Sequence, residues 1–119
     1  MRRNKMTREE AIELAKTYVP EHSDDIGWEV DDNELVVISM ENKGLMNRIA
    51  QKLFRKPRIS YIHLDELGSF VWQCINGTDD VGAIGVKVKE HFGEEADPVY
   101  ERLAAYMTTL GNTGFIHFI

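Results

Sequence analysis

The chain has 119 residues, 43% apolar and 29% charged, and a net charge of −6. That size and composition fit one folded domain with one core and exclude a disordered chain. The apolar runs are far too short to span a bilayer. The single cysteine, Cys74, excludes an internal disulfide and fits a reducing, cytoplasmic setting. The acidic balance counts against nucleic-acid binding, whose affinity comes largely from neutralised phosphates.

In chain order, Met1 to Lys5 is basic but leads into charged residues rather than an apolar signal region. Thr7-Arg8-Glu9-Glu10 has the pattern of a capping box, with the Thr hydroxyl accepting from an early amide and Glu10 reaching back. Ala11, Leu14, Ala15 and Tyr18 follow at helical spacing, and Pro20 closes this N-terminal helix. Glu21 to Gly27 reads as a polar turn region. Trp28-Glu29-Val30 and Leu35 to Met40 read as the strands of a hairpin around Asp31-Asp32-Asn33.

Leu45, Met46, Ile49, Leu53 and Phe54 share one face of a helix over residues 44–56, which Pro57 stops. Six cations (Lys43, Arg48, Lys52, Arg55, Lys56 and Arg58) and no Asp or Glu fall between Lys43 and Arg58. The bland account of that run is a solvated helix face.

Arg58 to Leu64 is expected as a third strand. Asp65 caps a helix to about Ile75, with Leu67, Val71 and Ile75 inward, and Gly77 supplies the left-handed stop. Thr78 is the expected cap of the next helix, whose buried stripe is Val81, Ile84, Val88 and Phe92 and which ends at Gly93. Gly82 and Gly85 lower its propensity, so tertiary contacts must hold it. Asp97-Pro98 starts a helix with Val99, Leu103, Tyr106 and Leu110 on one face and Met107 at its border. Gly111 to Gly114 reads as a turn, and Phe115 to Phe118 as a closing strand.

Catalytic chemistry is hard to place. His22, His63, His91 and His117 are scattered, with none at metal-ligand spacing, and one cysteine forms neither a sulfur-rich zinc site nor an iron–sulfur set. Gly82-x-x-Gly85 lacks the preceding strand and following Lys-Ser/Thr of a phosphate loop. Cys74 reads as an inert thiol on an apolar helix, and Trp28 and Trp72 as core. No catalytic residue, metal or cofactor is expected. The order of elements suits a binding module rather than an enzyme.

The run Leu64-Asp65, Phe70-Val71-Trp72, Gly77-Thr78 and Leu110-Gly111-Asn112-Thr113-Gly114-Phe115-Ile116 resembles the PqqD-like family, the peptide-recognition elements of pathways that modify ribosomally made peptides. Asp65 stands where the family usually has Asn, and keeps the capping role. The resemblance implies an α+β, winged-helix-like fold: a small antiparallel three-stranded sheet plus a three-helix bundle. Here residues 1–119 would form a single such domain, with an N-terminal helical extension over 1–20 and a helical insertion over 44–56.

The resemblance also implies that a precursor leader peptide adds to the third strand (Arg58, Ile59, Ser60, Tyr61, Ile62 and His63), beside a helix surface of Tyr100, Ala104, Met107 and Thr108. The peptide would then be presented to a modifying enzyme such as a radical SAM maturase. For Ile59, Tyr61 and Met107 a place in the core is the competing account. The exposed edge also admits pairing of two copies as a homodimer. An alternative is a winged-helix DNA-binding protein, with the helix from Asp79 as its recognition element and Phe115 to Phe118 as wing. Against it stand Asp79, Asp80, Glu90, Glu94, Glu95 and Glu101, facing only Lys87, Lys89 and Arg102. An enzyme subunit or an oligomerisation module is a third class.

Overall fold

The computed structural model describes residues 6–41 and 59–119. The helix expected over 44–56 and the site residue Arg58 lie outside the described residues. The order is α1 (Arg8–Ala15), β1 (Pro20–His22), β2 (Ile26–Val30), β3 (Val36–Glu41), β4 (Ile59–His63), α2 (Glu66–Cys74), α3 (Val81–Phe92), a 3-10 turn (Gly93–Ala96), α4 (Val99–Asn112) and β5 (Ile116–Phe118). It is a mixed α+β fold with a three-stranded antiparallel sheet and, among the described residues, four α-helices. Two compact units can be distinguished, Met1–Ser23 with Phe70–Ile119, and Asp24–Ser69. No described helix is long and apolar enough to cross a membrane.

The first unit is helical and holds most of the core. Val71, Trp72, Val81, Ile84, Val88, Leu103 and Leu110 are buried in it, at the i, i+3, i+4 and i+7 spacings that put one stripe of each helix inward. The opening of α3 shows how the chain satisfies a helix N-terminus, whose first amides have no partner within the helix. Val81 N–H donates to the Tyr18 carbonyl (2.9 Å), Gly82 N–H to that of Lys16 (2.9 Å), and Ala83 N–H to Asp80 Oδ1 (2.8 Å). The cap is therefore Asp80, not Thr78. Both residue types can cap, and the Asn76 Oδ1 bonds to the amides of Thr78 and Asp79 carry the turn past Thr78. Gly85 lets helices α3 and α4 approach, because a Cβ there would run into the Tyr100 ring, whose hydroxyl donates to the Gly82 carbonyl (3.0 Å).

Three further expectations change. The N-terminal helix stops at Ala15, well before Pro20, although Thr7 caps it as read, accepting from Glu10 N–H (3.1 Å). Pro20, read as the helix stop, and Glu21-His22, read as the start of a turn region, form a strand that pairs antiparallel with β5, with Pro20 opposite Phe118 and His22 opposite Ile116. The final helix runs on through Gly111 to Asn112, so the expected turn shrinks to Thr113-Gly114, where Gly114 takes φ +82°.

The second unit is the sheet, ordered β2-β3-β4 and antiparallel throughout. Asp31 closes the β2–β3 turn by accepting the Asn33 and Leu35 amides on Oδ1 (2.8 and 3.0 Å). Val36 and Ile38 on the central strand are fully buried. Asp65 caps α2 as expected, accepting from Gly68 N–H (2.7 Å), and buried Ser69 accepts from Val36 N–H (2.8 Å). Trp28, expected in the core, is 41% exposed. It lies on β2, an edge strand whose pattern is exposed on four of five residues.

Candidate functional site

Within the sheet unit, β4 pairs with β3 on one side and has no strand partner on the other among the described residues. The register places Ile38 opposite Ile62 and Ser39 opposite Tyr61, and Leu64 N–H donates to the Val36 carbonyl (2.9 Å). In an antiparallel ladder the hydrogen-bonded pairs alternate with non-bonded ones. Leu64, Ile62 and Ser60 therefore turn their main-chain groups toward β3, and Ile59, Tyr61 and His63 turn theirs toward the open side. The side chains of Ile59 (47% exposed), Tyr61 (62% exposed) and His63 are exposed, while Ser60 and Ile62 are half-buried. An edge of this kind is a ready template for an added strand.

Among the described residues, β2 leaves a second open edge. Asp31 N–H donates to the Leu35 carbonyl (2.8 Å), so the same alternation turns Ile26, Trp28 and Val30 outward. Glu29, Asp31 and Asp32 make this edge acidic, whereas the residues leading into β4 include Arg55, Lys56 and Arg58.

The helix residues named from the resemblance sit in the helical unit, on α4. Tyr100 is half-buried, bonded to Gly82 and lying under the Lys16 ammonium, which is 4.1 Å from the ring centroid. Ala104 is half-buried and Thr108 exposed, with its hydroxyl donating to the Ala104 carbonyl (2.8 Å). Met107 is 3% exposed and belongs to the core. Its spacing of i+4 from Leu103 and i−3 from Leu110 carries that signal.

Among the displaced titratable groups in this unit, His22 and Cys74 are shifted mainly by burial. Burial pulls the His22 pKa below the usual imidazole range, against the opposing pulls of the Trp72 carbonyl bond and the Glu21 carboxylate. Its ring stacks on Trp72 (centroids 4.2 Å apart), and its Nε2–H donates to the Trp72 carbonyl (2.9 Å). Burial pushes the Cys74 thiol up, which disfavours the thiolate and fits an unreactive cysteine. Among the described residues no group of three or more His, Cys, Asp or Glu is placed to hold a metal.

Open strand edges on a small α+β chain define a protein suited to recognising an extended peptide. The family model described as Coenzyme PQQ synthesis protein D (PqqD) matches residues 34–116, and the chain belongs to that family. The family comprises non-catalytic, peptide-binding partners of a modifying enzyme in PQQ biosynthesis. Its match includes β3, β4 and α2 to α4, and leaves α1, β1 and β2 outside. Neither the comparison with curated proteins nor that with solved structures finds a match.

Proposed function

We propose that this chain captures the leader of a ribosomally made precursor peptide by strand addition at β4 and hands it to a modifying enzyme of the radical SAM type. The observation that carries this reading is the open side of β4, where Ile59, Tyr61 and His63 offer main-chain donors and acceptors in a member of a peptide-binding family. A guest strand gains hydrogen bonds there, and the exposed Ile59 and Tyr61 side chains select its sequence. Charge favours β4 over β2 for a leader containing Asp or Glu, which the cations preceding β4 attract and the carboxylates along β2 repel.

The test is a titration of the labelled protein with synthetic peptides encoded beside its gene, following backbone amides by NMR. Saturable shifts at Ile59, Tyr61 and His63 are expected. Tyr61→Pro removes an outward donor and no bond to β3, so the variant stays folded and loses the peptide. Shifts centred on Ile26, Trp28 and Val30, or undiminished capture by folded Tyr61→Pro, would overturn the assignment of the edge.

A further inference from the structure

The helix α1 is anchored at one end. Just past it, main-chain bonds fix the chain: Gly82 N–H donates to the Lys16 carbonyl, Val81 N–H to that of Tyr18 and Ile119 N–H to that of Val19, each at 2.9 Å. The helix itself has no buried residue. Its ion pair to α4, Arg8 with Glu101 at 3.5 Å, is exposed on both sides, and such pairs add little stability. A segment with so few buried contacts opens at low cost. Eight residues are also too few to stay helical in water without tertiary support, which takes about 12–15. The helicity of α1 therefore reports its docking.

The surface on which α1 docks is specific. Its C-terminal Lys16 holds its ammonium 4.1 Å from the centroid of the Tyr100 ring. Ala11, Ile12 and Ala15 line a groove with Ala104, Met107 and Thr108 of α4. Tyr100, Ala104, Met107 and Thr108 are the four α4 residues that the resemblance assigns to the leader. The contact is loose, since the groove between the two helices keeps about 640 Å³. Met107 is buried, so a leader that uses it needs a neighbouring element to move. The neighbour without a buried residue of its own is α1. This helix also precedes the matched residues 34–116, so it is an addition to the part of the chain that carries the family pattern.

We infer that α1 is a hinged cover on the α4 surface, which the leader displaces when it binds. The hinge falls at the end of α1, just before the anchored Lys16 carbonyl. The inference rests on the leader-capture reading above and adds its regulation. The apparent Kd is then the intrinsic Kd divided by the fraction of chains with α1 undocked. Loosening α1 therefore tightens peptide binding, opposite in sign to the loss of an ordinary contact.

The full chain is titrated with synthetic peptides encoded beside its gene, as wild type and as Thr7→Ala/Glu10→Gly. This variant removes the α1 cap and lowers its helix propensity, and neither residue lines the groove. It is expected to bind the peptide about fivefold more tightly. In the wild-type chain the Cα shifts of Ala11 to Ala15 are expected to move from helical to coil values with the same saturation as the β4 amides. A peptide that saturates the variant and not the wild type would support the cover in its strongest form.

Unchanged or weaker binding by the variant overturns the cover, and so do α1 shifts that stay helical at saturation. In either case strand addition stands as long as the β4 amides saturate. If no peptide saturates either chain, both readings fall.

Discussion

The helical unit and the sheet unit divide the chain's chemistry unequally. Among the described residues, every buried apolar side chain except Val36 and Ile38 belongs to the helical unit. Among the described residues, the sheet unit leaves the outer sides of both β2 and β4 without a strand partner. Burial of apolar surface is the main favourable term in folding, so stability resides chiefly in one unit. Unsatisfied main-chain edges are where an extended guest gains most, so the proposed peptide capture falls to the other. The same residue type takes different roles accordingly. Trp72 is fully buried and stacks on His22, whereas Trp28 is 41% exposed on an edge strand.

The two tryptophans provide the sharpest way to break this contrast. Trp72→Ala should cost about 3–5 kcal/mol of unfolding free energy, while Trp28→Ala should cost about 1 kcal/mol or less. Urea denaturation of both variants checks this, and equal losses would erase the distinction. Next in size comes Gly85→Ala. Alanine gains up to ~1 kcal/mol of helix propensity, but its methyl must displace the Tyr100 ring, an overpacking cost of about 1–3 kcal/mol. Net destabilisation is expected, relieved when Tyr100→Leu is combined with it. A net gain from Gly85→Ala alone would show that α3 and α4 have room to part.

Much of this was legible in the residues. The buried stripes of α3 and α4 follow from Val81, Ile84, Val88 and from Val99, Leu103, Leu110, because helical periodicity is a local signal. The Asp65 cap and the β4 alternation are local as well, and β4 is the part of the candidate site best read in advance. β1 was not legible. Three residues starting with proline carry no period, and their partner β5 lies at the far end of the chain, a pairing that no local pattern encodes. Trp28 misled because side-chain size suggests burial, whereas its position on an edge strand decides exposure. Met107 was read as border although its spacing already placed it with Leu103 and Leu110. The α1–α4 groove needs two elements some ninety residues apart, joined by Arg8 and Glu101, and so depends wholly on tertiary structure.

The cap of α3 offers a smaller test inside the helical unit. Asp80→Ala removes the acceptor for Ala83 N–H and should cost about 1 kcal/mol. Thr78→Ala should be close to neutral, since the Thr78 backbone amide, not its side chain, makes the turn bond to Asn76. Thermal melts of the two variants separate them. If Thr78→Ala proved the more damaging, the helix would start two residues earlier in solution.

The smallest effect expected is one of pH. Folding holds the His22 pKa below its unfolded value because burial disfavours the imidazolium. Between those two values the unfolded chain binds more protons than the folded one, so stability rises with pH across that window. The contribution is fully present above the unfolded value, near 6.5, and is lost as pH falls from there toward the depressed folded value. His22→Phe keeps an aromatic ring against Trp72 and removes the titration. Urea midpoints at pH 7.5 and pH 5.5 should therefore differ more in the wild-type chain than in this variant. Equal falls in the two proteins would place the acid sensitivity outside His22. A smaller fall in the variant ties it to the buried face of the helical unit, where desolvation outweighs the neighbouring Glu21 charge.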